Sequence, residues 1–572
     1  MIVVILKYPI YLSTIYFFNF QIMIGILSFL GFTILVAVIS YLATRKTDEK
    51  SSDGYFLGGR SLTAGVIAGS LLLTNLSTEQ IVGLNGSAYT DGLSVMAWET
   101  LAAIAIVVAA IFLLPRYLKG GLTTVPQFLA KRFDVATKTI TSGLFLTGYV
   151  VVLLPVILYS GSVAISGMFD VPTLLDVSDK TALIICIWGI GIIGSIYAVF
   201  GGLKAVAVSD SINAIGLLIG GLLIPVFGLM AIGDGSVFEG LENLISANPE
   251  RFDSTGNPGQ EVPFSTIFTG MMLVQLFYWG TNQQIIQRAL GAKNLAEGQK
   301  GLLLASFLKI LGPLILVLPG MIAYHYFEGG LDSSDLAYPE LVRAVLPKPL
   351  VGFFAAVLFG AILSSFNSVL NSSVTLFGID IYKQHINKEA SETTVVKYGK
   401  IFGICLALAA MFIAPLIANA GSLFNYLQEI NGIYSIPIFT IIVIGYLTKR
   451  VPAIAAKIGI FSGSVLYCVS QFWLKGRFVS DALAEAKSAG ITDANNLKLI
   501  EAEAYPHYLH IMAILFVTNI VIMLAIGAVK PRKEPFVLEY TNQVSITPYK
   551  YVNQVGIGIC AIVIGIYIYF AR

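Results

Sequence analysis

Apolar residues fall in long continuous runs along this chain, separated by short polar connections and without the apolar-polar alternation of a half-buried strand. A helix that crosses a bilayer needs about 20 largely apolar residues. Runs of that kind predict fourteen spans, at 22–44, 61–86, 94–115, 138–166, 181–200, 207–232, 264–288, 301–325, 350–380, 399–417, 424–447, 453–474, 507–529 and 551–571. The absence of period-two alternation excludes a membrane β-barrel. The predicted fold class is an all-α polytopic membrane protein in the lipid bilayer. The connections 233–263, 326–349 and 475–506 are the long ones, read as loops too small to fold as separate domains.

Composition agrees with that pattern: of 572 residues, 56% are hydrophobic and 12% charged, about half the charged fraction of an ordinary soluble domain. A net charge of +2 gives no reason to expect a nucleic-acid partner. The placement of charge is more informative than its sum. Alternate connections carry 24 Lys and Arg on one side, Arg288 counted among them, against ten on the other, which by the positive-inside rule puts both chain ends outside. Cys186, Cys405, Cys468 and Cys560 lie in apolar runs without metal or redox spacing, and His325, His385, His507 and His510 sit at span ends, so no metal site or cofactor is expected. Residues 1–21 form an apolar extension with Lys7 and Pro9 and no small-residue cleavage site, and Met23 is an alternative start.

Polar groups inside the spans are the functional candidates, because each is costly in hydrocarbon. The run Leu71-Leu72-Leu73-Thr74-Asn75-Leu76-Ser77-Thr78-Glu79-Gln80 interrupts the second span and predicts local unwinding, whose freed carbonyls suit a cation; an interhelical hydrogen-bonding patch is the plainer reading. Glu99 starts the third span, and Lys309, in the middle of another, needs a carboxylate, a carbonyl or a wet cavity, a structural ion pair with no ligand being the plainer reading. Asp210 is either an ion ligand or a helix-end cap. Ser364, Ser365, Asn367 and Ser368 put oxygen atoms on adjacent faces of one span, for a hard cation or for close helix packing. The segments Phe277–Gln284 and Phe424–Glu429 join aromatics to amides at membrane depth, a combination that suits a sugar ring and its hydroxyls.

Asn75-Leu-Ser-Thr-Glu-Gln80, Tyr197-Ala-Val-Phe-Gly-Gly-Leu203 with Asp210, Tyr278-Trp-Gly-Thr-Asn-Gln283 with Gln287-Arg288, and Ser364-Ser365 with Asn371-Ser372 and Asp380-Ile-Tyr382 occur in this order. Together they resemble the solute:sodium symporter family and its sodium/sugar branch, over about residues 22–530. The resemblance implies a LeuT-type fold of two inverted five-helix repeats, 61–232 and 264–447, with an extra helix at 22–44 before them and peripheral helices at 453–571 after them. It implies Na⁺ as coupling ion, held by the carbonyls of Leu73, Leu76 and Ala361 and the hydroxyls of Ser364 and Ser365. Asp210, Asn367 and Ser368 correspond to a second sodium site in some members; an Asn367 to Asp210 hydrogen bond that replaces the ion favours one sodium here. The implied substrate site is Asn75, Gln80, Glu99, Gln275, Lys309 and Gln428, with Tyr278 as inner gate and Leu84, Trp98 and Phe424 on the outer side. Gln275 and Trp98 stand where the bacterial sugar carrier has Asn and Tyr.

The expected function is sodium-coupled symport of a small polar solute, a hexose in the first instance, across a bacterial inner membrane by alternating access. A monocarboxylate, amino acid or sialic acid is the alternative substrate. A non-transporting sensor lacks a signalling domain among the connections, and an enzyme lacks a nucleophile with a base or a metal cluster. Oligomeric state is not encoded in any of these motifs.

Overall fold

The computed structural model describes residues 27–571 apart from 29, 44, 46–50 and 420–422. The extension 1–21, the Met23 start and the last residue lie outside the described residues, so the placement of the chain ends is not tested. The described part is helical throughout, with one isolated bridge between Leu62 and Ala292.

Among the described residues ten helices are long and apolar enough to cross a membrane, or eleven when the pair Leu295–Lys309 and Gly312–Tyr326, bent by 48°, counts as one crossing. The count of fourteen is therefore not confirmed. Leu30–Ala43 is short, the expected span 61–86 is broken, and Ala64–Asn75 is a short apolar helix on its own. The span at 264–288 is also interrupted, ending one helix at Thr281 and opening another at Gln283.

The predicted unwinding is present. Ala64–Asn75 stops where Leu76 leaves helical geometry and Ser77 is extended, and Thr78–Asp91 starts from there. The second break, at Asn282, was not predicted from the residues. There the Asn282 side chain caps the helix Gln283–Leu290 by accepting from the Gln284 amide at 3.2 Å, and Tyr149 donates to the same oxygen at 2.6 Å. A third irregularity joins two expected spans into Asp179–Ile232: Gly202 adopts φ +56°, and a Cβ there would press on the Tyr55 carbonyl at 3.2 Å, so glycine suits the bend.

Helix Lys348–Thr375 packs against Asp179–Ile232 and against Ala64–Asn75. The apolar core divides into two large clusters that meet at the first break, with Leu71 in one and Leu72, Leu73 and Leu76 in the other. The long connections are not plain loops. They carry the amphipathic helices Val237–Ala247, Ala337–Val345, Lys475–Ser488 and Ala494–Ala504. On the Lys/Arg-rich face, 530–551 runs extended across several helices through main-chain bonds. Arg532 N–H donates to Arg450 C=O (2.8 Å), Phe536 N–H to Lys449 C=O (2.9 Å), Thr541 N–H to Lys119 C=O (3.1 Å), and Leu295 N–H to Ser545 C=O (2.9 Å).

Candidate functional site

The two breaks bring polar residues to one narrow cavity of about 50 Å³. Of the expected substrate residues, Asn75, Gln80, Gln275 and Gln428 line it, as do Trp98 and Tyr278. Glu79, Asn282, Gln284, Asn431 and Tyr434 join them. Glu79 and Gln284 belong to segments the sequence singles out, whereas Asn431 and Tyr434 carry no signal beyond sitting one and two turns beyond Gln428 on a helix.

Glu99 and Lys309 do not line the cavity. They form an ion pair one layer behind it, each almost wholly buried, and Lys309 also donates to the Asn75 side-chain oxygen. The pair thus holds Asn75 in place from behind. A bare lysine or carboxylate at this depth would be strongly unfavourable, and the partner relieves both. Gln275, although in the wall, has both ends of its amide engaged, donating to the Trp98 carbonyl (2.8 Å) and accepting from the Trp279 indole (3.2 Å). Leu84 is fully buried and does not face the cavity. The Phe424 side chain lies outside the described residues.

Of the expected sodium residues, Ser365 meets the first break where Lys348–Thr375 packs against it. Ser365 donates to the Thr74 carbonyl (3.2 Å), and Thr74 and Ser368 hydroxyls lie 3.1 Å apart. Leu76 N–H bonds the Leu72 carbonyl (2.8 Å), while Ser77 sends no backbone bond to Leu73, so the Leu73 carbonyl lacks its helical partner. The Ser364 hydroxyl is buried beside the Asp210 carboxylate.

At the possible second site the expected Asn367 to Asp210 bond is replaced by another arrangement. Asp210 accepts from Ser70 (2.6 Å) and faces the Arg288 guanidinium at 3.9 Å. Arg288 in turn donates to Ser70 (3.0 Å), Ser368 and the Gln284 carbonyl, and the Asn367 side-chain oxygen is left without a donor. Arg288, counted among the connection charges in the sequence, is fully buried. A full guanidinium competes for the carboxylate more strongly than an amide does.

Towards the Lys/Arg-rich face the same network continues as a seal. Gln287 donates to the Phe56 carbonyl (2.8 Å) and to Thr375 (3.0 Å) and accepts from Ser372 (2.8 Å). Buried Asp380 accepts from Thr124 and Ser142 (both 2.9 Å) and lies 3.5 Å from Lys138. On the opposite face a cavity of about 430 Å³ is lined by Ser87, Asp91, Glu261, Glu429, Lys475 and Tyr508. Glu79 lines the narrow cavity and Asp91, on the same helix, the wide one; Gln284 lines the narrow cavity and Arg288, one turn on, the seal. The narrow cavity is therefore sealed on one side and stands beneath a wide vestibule on the other.

A family model described as "Sodium:solute symporter family" matches residues 55–463. The chain is 46% identical to the uncharacterised symporter YidK of Escherichia coli (strain K12), over 91% of this chain and 87% of that one. It is 33% identical to a sodium/glucose cotransporter of Vibrio parahaemolyticus, over 73% and 79%, and 31% identical to the human sodium/myo-inositol cotransporter 2, over 74% and 66%. Among solved structures, a Na⁺-coupled sialic acid symporter in a substrate-bound outward-open state superposes with a TM-score of 0.67 at 18% identity, covering 87% of this chain and 97% of that one. Mhp1, a nucleobase-cation-symport-1 transporter, superposes at 0.51 with 14% identity, covering 87% and 97%. Both neighbours are LeuT-type transporters, and the fold is of that kind. This multi-pass membrane protein belongs to the sodium:solute symporter family.

Proposed function

We propose that the protein imports a polyhydroxylated solute, a hexose or a cyclitol in the first instance, together with sodium across a bacterial inner membrane. The observation that carries this reading is the cavity wall itself, where Asn75, Gln80, Gln284, Gln428 and Asn431 supply amides beside the rings of Trp98 and Tyr278. Rings cover the apolar face of a pyranose or cyclitol and amides meet its hydroxyls. The glucose and myo-inositol carriers among the relatives support it.

In this reading 61–232 and 264–447 are the inverted repeats, each opening on a broken helix. Sodium binds at Leu73, Leu76, Ala361, Ser364 and Ser365, and steadies Lys348–Thr375 against the first break. Solute then enters from the vestibule, and the seal built on Arg288 and Gln287 parts to release both on the other side. Leu84, Trp98 and Phe424 close the outer path and Tyr278 the inner one. One sodium moves per solute, because Arg288 already supplies the positive charge beside Asp210 and Ser368, where a second ion would bind with Asn367. Glu99 and Lys309 act by holding Asn75, so their contact with solute is indirect.

The test is uptake of labelled D-glucose and myo-inositol into proteoliposomes with an inward sodium gradient or with choline in its place. Sodium-dependent accumulation of either polyol supports the reading. Accumulation of lactate, an amino acid or sialic acid with neither polyol accepted overturns it.

A further inference from the structure

The substrate cavity contains a carboxylate that pairs with no cation among the described residues. Glu79 is the second residue of the helix that opens after the first break, is 7% exposed, and lines the cavity. Its Oε2 is buried without a hydrogen-bond partner. The two buried cations nearby are committed elsewhere, Lys309 to Glu99 and Asn75, and Arg288 to Asp210, Ser70 and Ser368. Among the described residues Glu79 takes part in no ion pair.

The same wall holds two more buried acceptors without donors, Gln80 Oε1 and Gln284 Oε1. A buried polar atom left unpaired is costly, and more so when it belongs to a charged group. The first turn of a helix eases an anion through its free amides, which accounts for a carboxylate at this position but leaves Oε2 unbonded. Three acceptors, one of them a carboxylate, face a cavity that a solute enters. The missing partners are donors: hydroxyl groups, or an ammonium, which would bring a donor and the opposite charge together. A carboxylate on the solute is itself acceptor-only and meets like charge.

We propose that Glu79 is a further substrate-binding residue, the one carboxylate the solute touches, and that it selects polyols and protonated amino sugars while rejecting sugar acids. This rests on the polyol reading of the cavity above. Glu99, by contrast, has its charge answered within the protein.

Tryptophan fluorescence can follow binding, because Trp98 lines the cavity. Purified protein in sodium buffer is titrated with D-glucose, D-glucosamine and D-glucuronate, as wild type, Glu79→Gln and Glu79→Asp. Wild type should bind glucosamine at least as tightly as glucose and glucuronate far more weakly. In Glu79→Gln the preference for glucosamine over glucuronate should shrink by about tenfold or more, as loss of one charge-assisted hydrogen bond requires, while the sodium response is unchanged. Glu79→Asp should keep the sign of the preference. Since glutamine fills the same volume and removes an unanswered charge, the ligand-free Glu79→Gln protein should melt no lower than wild type.

Wild-type selectivity that survives Glu79→Gln overturns the proposal and leaves the polyol reading intact. A lowered melting temperature in that variant, or a loss confined to sodium binding, also overturns it. Wild type that binds none of the three, or glucuronate best, overturns the polyol reading and this proposal together.

Discussion

Replacing Lys309 by methionine removes the cation paired with Glu99 while keeping most of the side-chain volume. Lys309 and Glu99 are 1% and 0% exposed, so water cannot take over for the lost partner. Breaking a buried pair from one side costs about 3–5 kcal/mol, because a charge is stranded rather than a bond merely lost. Glu99 is badly placed to recover, since its Oε1 already lacks a partner and Gly312 packs against the carboxylate. Neutralising both residues, in Glu99→Gln with Lys309→Met, removes the stranded charge and leaves chiefly the bond that Lys309 gave to Asn75, about 1–3 kcal/mol for a buried acceptor without a donor. The double variant should therefore be more stable than Lys309→Met alone, and the coupling between the positions should exceed about 2 kcal/mol. Unfolding in mixed micelles under increasing SDS measures all four corners of the cycle. A Lys309→Met cost below about 1 kcal/mol, or a double variant no better than the single ones, would refute the reasoning that the pair is a buried structural brace.

Gly312→Ala tests the same brace from the backbone, since the added Cβ would clash with Glu99 Oε2; expression and melting temperature should fall, with Gly312→Ala in the Glu99→Ala background less affected. Ser364→Ala and Ser365→Ala should each raise the half-saturating sodium concentration for uptake by about tenfold, the equivalent of about 1.4 kcal/mol for one oxygen ligand; unchanged sodium dependence in both would remove this site. The ratio of charge to solute flux should be one, so that a 100 mV potential alone supports about 50-fold accumulation, from about 2.3 kcal/mol per charge; a ratio of two would make Asp210, Asn367 and Ser368 ion ligands after all. In the vestibule, burial pushes the Glu261 carboxyl up to about 8, with Ser87 as a hydrogen-bonding partner and Asp91 adding like charge, and burial pushes Asp335 up to about 6. Both prefer the protonated form when folded, so their contribution to stability is complete below about pH 4 and is lost as pH rises, through about 6 for Asp335 and about 8 for Glu261. Hydrogen exchange over 253–263 should quicken from pH 6 to 9 beyond the intrinsic rate change, and Glu261→Gln should flatten that response.

The parts of this molecule legible in its sequence are those where hydrocarbon makes polarity conspicuous. The first break could be read because Thr74, Asn75, Ser77 and Glu79 follow one another where lipid-facing residues are expected. The break at Asn282 escaped, since Tyr278–Gln284 reads equally as one amphipathic stretch; what interrupts it is Tyr149, 133 positions earlier, gripping the Asn282 side chain. Arg288 looked like a connection charge because it follows an apolar run, and only the packing of Ser70, Asp210 and Ser368 around it reveals a buried cation. The sequence pattern identified Glu99 and Lys309 as exceptional without saying that each is the other's answer. The helices in 475–506 were missed for a different reason: they lie outside the apolar runs, where a search for spans does not look.

The extended stretch 530–551 is tied to its neighbours in two ways, through peptide groups from Arg450 and Lys449 to Lys119 and Leu295, and through side chains, with Val544 buried, Arg532 donating to the Arg132 carbonyl (2.9 Å) and Phe536 set against Phe128 and Arg132. The peptide ties have no side chain to lose, so alanine scanning would register the second kind and miss the first. Their importance would show only when the peptide itself is altered. Proline at Thr541, which deletes the donor to Lys119, or a single inserted residue that shifts the register, is the lesion that exposes them.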